Sequence, residues 1–131
     1  MVHEEWALAC VRDAVTAWNC RDWSAFESLH THDVVYDSPH SHVAGRGAVL
    51  RRYQELVAIV PDLHSSELRM TEIDSTDRRA TFEYVQTGTL AEDLLDPGDG
   101  FGPRSPFAVR TTMSVRFDGD GRISALQTVH N

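Results

Sequence analysis

In the first half of the chain, apolar residues recur every three or four positions, which is the spacing of an amphipathic α-helix. The series is Trp6, Leu8 or Ala9, Val11, Val15 and Trp18, and two glutamates precede it, as suits a helix N-terminus. A second stretch begins after Asp22, a good N-cap residue, and a third runs from a Gly-Arg-Gly sequence to a proline. The predicted helices span residues 4–19, 21–30 and 45–61, with a brief strand predicted at 33–37.

From residue 64 onward the pattern changes to alternation of apolar and polar residues, which is typical of half-buried strands. Phe82 and Tyr84, for example, alternate with Thr81 and Glu83. The stretch 91–106 is rich in Pro, Gly and Asp and has no period, so it predicts a long loop of the kind that often forms a lid. The predicted strands are 64–73, 78–90, 107–117 and 122–130, with tight turns at 74–77 and 118–121.

This order of elements predicts the fold class. Helix, helix, strand and helix are followed by four long strands joined mostly by hairpins, which indicates an α+β fold with an antiparallel sheet covered by helices on one face. The 131 residues are enough for one domain with a real core, and no linker interrupts them. We therefore predict a single domain over residues 1–131.

Charge and composition exclude several function classes. A net charge of −8 argues against a nucleic acid or an anionic membrane as partner, because both require basic patches. All 12 basic residues are Arg, so chemistry that needs a lysine amine, such as a Schiff base or a P-loop, is excluded. No apolar run approaches the roughly 20 residues of a membrane span, and no signal peptide is recognised.

The two cysteines predict the redox environment. Cys10 and Cys20 lie on one predicted helix, about 15 Å apart at ~1.5 Å rise per residue, which is too far for a disulfide. Two free thiols fit a reducing cytoplasm, so we predict a cytoplasmic protein.

The sequence VVYDSPHSH at 34–42 concentrates residues that could carry chemistry. Asp37, His40 and His42 could form an acid/base group at a cavity mouth, or they could be ordinary residues of a strand end and an exposed loop. His30 and His32 add a second His-x-His pair, which a helix C-terminus would also favour. A metal site would need further ligands and supporting contacts, so we predict none.

Several segments in order resemble the nuclear-transport-factor-2-like superfamily, and within it the SnoaL-like group of polyketide cyclases and ketosteroid-isomerase-like proteins. The segments are WNCRDWSAFESLHTHDVVYDSP, GRGAVLRRY, PDLH, GTL and VRFDGDGRI. The resemblance covers nearly the whole chain. It implies a cone-shaped curved sheet around an apolar cavity, N-terminal helices over the cavity, no cofactor and a homodimer.

The catalytic residues of these families are largely missing. The steroid-isomerase pattern places Ala14 where its tyrosine would be, Ser38 where its general base would be, and Met113 where its second aspartate would be. The SnoaL-like cyclase pattern places Asn131 where its catalytic aspartate would be, with His130 beside it. An imidazole titrates near neutrality, so His130 could replace that aspartate as the base.

The ligand implied by the resemblance is a hydrophobic small molecule. Aromatic, Met and polar side chains on the faces predicted to point inward would line its cavity. The predicted substrate-binding residues are Trp18, Tyr36, Tyr53, Met70, Phe82, Tyr84, Met113 and Gln127.

Three functions remain open from the sequence. The first is a cyclase or isomerase of a polyketide-like intermediate that transfers a proton through His130 or Asp37, with His40 and Asn131 as further candidates. The second is a pericyclase, or shape-selective cyclase, that acts by proximity and orientation without acid/base residues. The third is a non-catalytic ligand-binding or dimerisation module.

Overall fold

The structure, a computed structural model, describes residues 4–39, 41–91 and 104–130, and the side chains of residues 90, 91, 104, 105 and 130 are not described. Within these residues the chain forms three helices and six strands. The helices are α1 (Glu4–Cys20), α2 (Trp23–Ser28) and α3 (Arg46–Ile59). The strands are β1 (His30–Ser38), β2 (Ser41–Ala44), β3 (His64–Asp74), β4 (Arg79–Ala91), β5 (Arg104–Phe117) and β6 (Ile123–His130).

The six strands form one curved, unclosed sheet in the order β2-β1-β6-β5-β4-β3. The predicted α+β class, with N-terminal helices packed on a curved sheet, is confirmed. The sheet is mixed, because β1 and β6 run parallel while the other neighbours are antiparallel. This parallel pair joins two distant parts of the chain, and hairpin signals in the sequence cannot reveal such a pairing.

The core lies between the inner face of the sheet and the helices. Phe82 on β4 and Val115 on β5 are fully buried, and they face α1, whose Val11 is also buried. The predicted alternation is therefore confirmed on the long strands, where each buried residue is followed by one that is more exposed. Among the described residues, no helix is both long and apolar enough to cross a membrane.

The end of α1 is fixed to strand β3 by a paired hydrogen bond. The Asn19 side chain donates to the Ser65 carbonyl and accepts from the Ser65 amide, both at 2.9 Å. Next to it, Arg21 donates to the carbonyls of Trp18 and Leu63 at 2.8 and 2.6 Å. The bond to Trp18 satisfies a carbonyl at the helix C-terminus, and the others hold the end of α1 against the start of β3.

Two local predictions near β1 are wrong. Helix α2 ends at Ser28, and His30, predicted as a helix C-terminal residue, is the first residue of β1. His32, assigned to the same helix end, is exposed on that strand. The residues around His42 were predicted as an exposed loop but form β2, which pairs with β1 from Ser38↔Ser41 onward.

Both predicted turns between long strands are present. After β3, the Asp74 side chain accepts from the amide of Asp77 at 3.1 Å. After β5, the Asp118 side chain accepts from the amides of Asp120 and Arg122 at 3.0 and 2.9 Å. Of the predicted loop at 91–106, residues 92–103 lie outside the described residues, and Ala91 pairs with Arg104 as strand.

Candidate functional site

A small apolar cavity lies between α1 and the inner face of the sheet. Its volume is about 50 Å³, and most of its exposed wall is carbon. Helix α1 and α2 supply one side, and the sheet supplies the other. The wall residues are Val11, Ala14, Val15, Trp18, Phe26, His30, Tyr53, Ser65, Tyr84, Gln86, Met113, Ile123 and Leu126. We call this space the deep cavity.

A second and larger space adjoins it and is bordered by residues of α3. Its volume is about 220 Å³, and Tyr53, Tyr84 and Gln86 form a wall common to both. We call it the outer cavity. Its remaining wall residues are Tyr36, Ser38, Pro39, Arg52, Leu56, Ile59, Val60, Leu63, Phe107 and Thr128.

All three tyrosines of the chain line the outer cavity. The Tyr36 and Tyr53 rings are 5.4 Å apart, and the Tyr36 hydroxyl lies 3.2 Å from Thr128 Oγ1, within hydrogen-bond distance. Burial, and then the neighbouring tyrosines, raise the pKa of Tyr53 and of Tyr84 above the usual value. The phenols therefore stay protonated at neutral pH and are available as hydrogen-bond donors.

His30 is the one histidine among the described residues of the deep cavity wall. Its side chain is buried, and Nδ1 lies 2.6 Å from the Phe26 carbonyl oxygen. A carbonyl only accepts hydrogen bonds, so Nδ1 carries the proton and Nε2 carries the free lone pair. Burial lowers the pKa of His30, with Arg46 adding to the effect and the bond to Phe26 opposing it. His30 is thus a neutral imidazole with a defined tautomer.

Sequence reasoning missed this histidine because it assigned His30 to the end of a helix. The strand pattern held a partial signal for a buried His30. Val34 and Tyr36 are buried, and residue 30 lies an even number of positions before them. The alternation fails between those positions, where β1 shifts register against β6 and both His30 and Thr31 are buried. An irregularity of this kind makes simple extrapolation along the strand unsafe.

Of the predicted catalytic residues, Asp37 is the one whose side chain the structure describes. Asp37 lies in neither wall; its carboxylate contacts His42 Nδ1 across the β1–β2 hairpin, and both side chains are about half exposed or more. His40 and Asn131 lie outside the described residues, as does the side chain of His130. The backbone of His130 pairs with Thr111 on β5.

The predicted substrate-binding residues divide into two groups. Those in a cavity wall are Trp18, Tyr36, Tyr53, Tyr84 and Met113. Those in neither wall are Met70, Phe82 and Gln127.

The second group has a clear structural reason. Phe82 is fully buried in the core, and Met70 packs against its edge. Gln127 is exposed, because the buried residues on either side of it, Leu126 and Thr128, take the inward positions. Thr128 is therefore the β6 residue of the outer cavity, in place of the predicted Gln127.

The walls of the two cavities contain no described Asp or Glu side chain. Arg52 is the only permanently charged side chain that the structure describes in either wall. Across the described residues, no three His, Cys, Asp or Glu side chains are grouped so that they could hold a metal ion. The polar side-chain groups that the structure describes in these walls are one imidazole, one indole N–H, several hydroxyls, one amide and one guanidinium.

The model of the SnoaL-like domain matches residues 11–126. Two solved structures with the same fold are bacterial proteins provisionally named as polyketide cyclases. The one from Xanthomonas campestris pv. campestris has a TM-score of 0.81 at 21% identity and covers 97% of this chain and 91% of its own. The one from Pseudomonas putida KT2440 has a TM-score of 0.77 at 18% identity, with coverages of 95% and 91%.

A protein from Bacillus subtilis that is provisionally named an isomerase also has this fold. Its TM-score is 0.77 at 15% identity, and the match covers 100% of this chain and 90% of the other. No curated protein matches the chain. The domain match spans most of the chain, so this chain belongs to the SnoaL-like family.

Proposed function

We propose that this protein is a cofactor-independent cyclase or isomerase that moves a proton on a hydrophobic, polyketide-like small molecule. The observation that carries the proposal is His30, a buried neutral imidazole in the wall of an apolar cavity. Of the two bases that the sequence suggests, Asp37 lies in neither cavity wall, and the side chain of His130 lies outside the described residues. Named relatives of this fold, the cyclases and isomerase above, support the reaction class.

The reaction begins with a carbon acid, a C–H bond next to a carbonyl group of the substrate. Nε2 of His30 takes that proton, and the electron pair moves onto the carbonyl oxygen as an enolate. Because its pKa is lowered, His30 is unprotonated at neutral pH and ready to act as a base. The same imidazolium then returns the proton, to another carbon in an isomerisation or to the alkoxide that forms when an aldol closes a ring.

The tyrosine cluster suits the enolate oxygen. Tyr53 and Tyr84 border both cavities and remain protonated, so their hydroxyls can donate to a developing negative charge. Donors that are fixed in an apolar site stabilise such charge more than water does, since they need no reorganisation during the reaction. His30 and the tyrosines would thus act on opposite ends of the same carbonyl system.

Proton transfer can be tested without knowing the natural substrate. Simple aryl ketones (acetophenone, indanone and tetralone) are incubated with the protein in D₂O, and deuterium uptake next to the carbonyl is followed by NMR. We expect the wild type to accelerate exchange above buffer and His30→Gln to lose most of that acceleration, of the order of 10²–10⁴-fold for a general base. His32→Gln is the matched control, because His32 is exposed two residues away on the same strand.

Exchange by the wild type that is equal to buffer, or that survives His30→Gln, would contradict the assignment of His30. A pH profile gives a further check. The rate should rise with pH through the lowered pKa of His30 and level off above it, since only the neutral imidazole accepts a proton.

A second candidate function is a pericyclase that holds a linear polyene in a reactive shape. The observation that favours it is the lack of any described carboxylate in the two cavity walls. Such an enzyme would act through proximity and orientation. Its turnover would be independent of pH near neutrality, would persist in His30→Gln, and would respond to changes of wall shape such as Met113→Ala.

A further inference from the structure

Arg52 is the one charged side chain that the structure describes in the wall of the outer cavity. The other described wall residues are apolar or neutral and polar. Arg52 is on α3, directly before Tyr53, and borders the outer cavity. Its Nε atom is buried and has no hydrogen-bond partner within the part of the chain that the structure describes. Buried polar groups normally have partners, and a guanidinium group can donate five hydrogen bonds.

The described carboxylate that pairs with Arg52 is too distant to form a hydrogen bond with its guanidinium group. Arg52 Nη1 lies 3.9 Å from Glu55 Oε2, one turn along α3, which is an ion pair without a hydrogen bond. The Glu55 side chain is 57% exposed and that of Arg52 is 33% exposed, so the pair is weak and partly screened by water. The guanidinium group therefore has unused capacity for a second, closer anion.

The side chains around Arg52 indicate the chemical class of the molecule that carries this anion. Tyr36, Ser38 and Thr128 add hydroxyls to the same cavity, while Leu56 and Phe107 add apolar surface. A planar guanidinium matches a carboxylate, which it can bind through two parallel hydrogen bonds. The net charge of −8 does not prevent this, because at physiological ionic strength charges beyond about 8 Å are largely screened.

We propose that the substrates of this protein carry a carboxylate and that Arg52 recognises it in the outer cavity, while the apolar part of the molecule extends towards His30 and the deep cavity. This inference rests on the proposed function for the role of His30. It narrows the substrate class to hydrophobic carboxylic acids. It also orients the substrate. The carboxylate is held at Arg52 on α3, and the reacting carbon lies beyond Tyr53 and Tyr84, the tyrosines that border both cavities.

Binding can be measured by calorimetry or by NMR titration with naphthoate and with naphthamide, a neutral molecule of nearly the same shape. We expect the wild type to bind naphthoate about 10- to 100-fold more tightly than naphthamide, as for a hydrogen bond to a charged group. Arg52→Met, which keeps much of the apolar stem of the side chain, should remove that preference by weakening the binding of naphthoate. Arg51→Gln is the matched control, since Arg51 is exposed and lies in neither cavity wall.

A gain of binding gives a test that unfolding cannot imitate. Glu55→Gln removes the anion that competes for Arg52, so naphthoate should bind about twofold to fivefold more tightly, in keeping with a surface ion pair. Equal binding of naphthoate and naphthamide, no binding of naphthoate, or a preference that survives Arg52→Met would each overturn the inference. These results are read from binding alone, whereas the role of His30 is read from deuterium exchange of neutral ketones, so either can fail without the other.

Discussion

The buried state of His30 makes a measurable prediction about stability and pH. In the folded protein the pKa of His30 lies below its ordinary value of 6.5, because burial disfavours the charged imidazolium. In the unfolded chain the same side chain is hydrated and titrates at the ordinary value. As pH falls through about 6.5, the unfolded chain therefore takes up a proton that the folded protein refuses.

The sign of the effect follows from this difference in bound protons. Between the lowered folded pKa and about 6.5, the unfolded state binds more protons, so the free energy of unfolding rises with pH. The slope for one such group is at most about 1.4 kcal/mol per pH unit. Above pH 6.5, His30 adds no further pH dependence to the free energy of unfolding. Below the folded pKa of His30, the stability that its neutral form provides has been fully lost.

The assay is urea unfolding of the wild type and of His30→Gln at a series of pH values from about 5 to about 8. The carboxylates titrate in both proteins. The difference in how their free energies of unfolding change with pH therefore isolates the effect of His30. His30→Gln loses the ring that packs 4.5 Å from Phe26, so it is less stable at neutral pH, but its stability should fall less steeply as the pH is lowered. His32→Gln, at an exposed position, should keep the wild-type slope.

Identical pH slopes for the wild type and His30→Gln would refute the reasoning. So would an imidazole resonance of His30 that titrates at or above the ordinary pKa in the folded protein. Either outcome would mean that His30 is hydrated and charged near neutrality, and the assignment of a neutral base in the deep cavity would fall with it.

Two further predictions concern packing and thiol chemistry. Gly88→Ala should lower the free energy of unfolding by about 1–3 kcal/mol, measured by urea, because the added Cβ would lie 2.6 Å from Val60 Cγ1; Gly47→Ala, which meets nothing within 4 Å, should not destabilise the protein. Burial, together with a nearby carboxylate, raises the pKa of Cys10 to about 11, so a disulfide reagent at about pH 8 should react rapidly with exposed Cys20 alone, and Cys20→Ser should abolish the rapid phase. Rapid reaction of both thiols in the native protein would contradict that burial.

Periodicity predicted the long elements well because each of them has one buried face. The alternation of β4 and β5 places Phe82 and Met113 inside, and the structure agrees. Helices α1 and α3 likewise begin and end within two residues of the predicted limits. Long elements average over many residues, so a few irregular positions do not hide their period.

The hydrophobic pattern did not predict the limits of the short elements or the pairing of strands that are distant in the chain. Strand β2 has four residues, too few to show a period, and α2 has six. His30 follows α2 with only Leu29 between them, and no Gly or Pro marks the boundary, so the sequence does not show where the helix ends. The site depends on that boundary, because one step in register decides whether a side chain faces the cavity or the solvent.

The parallel pairing of β1 with β6 has a consequence for how the protein folds. The Tyr36 hydroxyl and its partner Thr128 are 92 residues apart in the chain, and both line the outer cavity. Joining such distant segments requires closing a very long loop, which slows folding relative to a fold built from neighbouring hairpins. The hairpins of β3, β4 and β5 can form early, whereas a ligand site exists only after β6 has been synthesised and has inserted between β1 and β5. During synthesis, ligand binding can therefore stabilise the finished domain but cannot assist the steps that precede it.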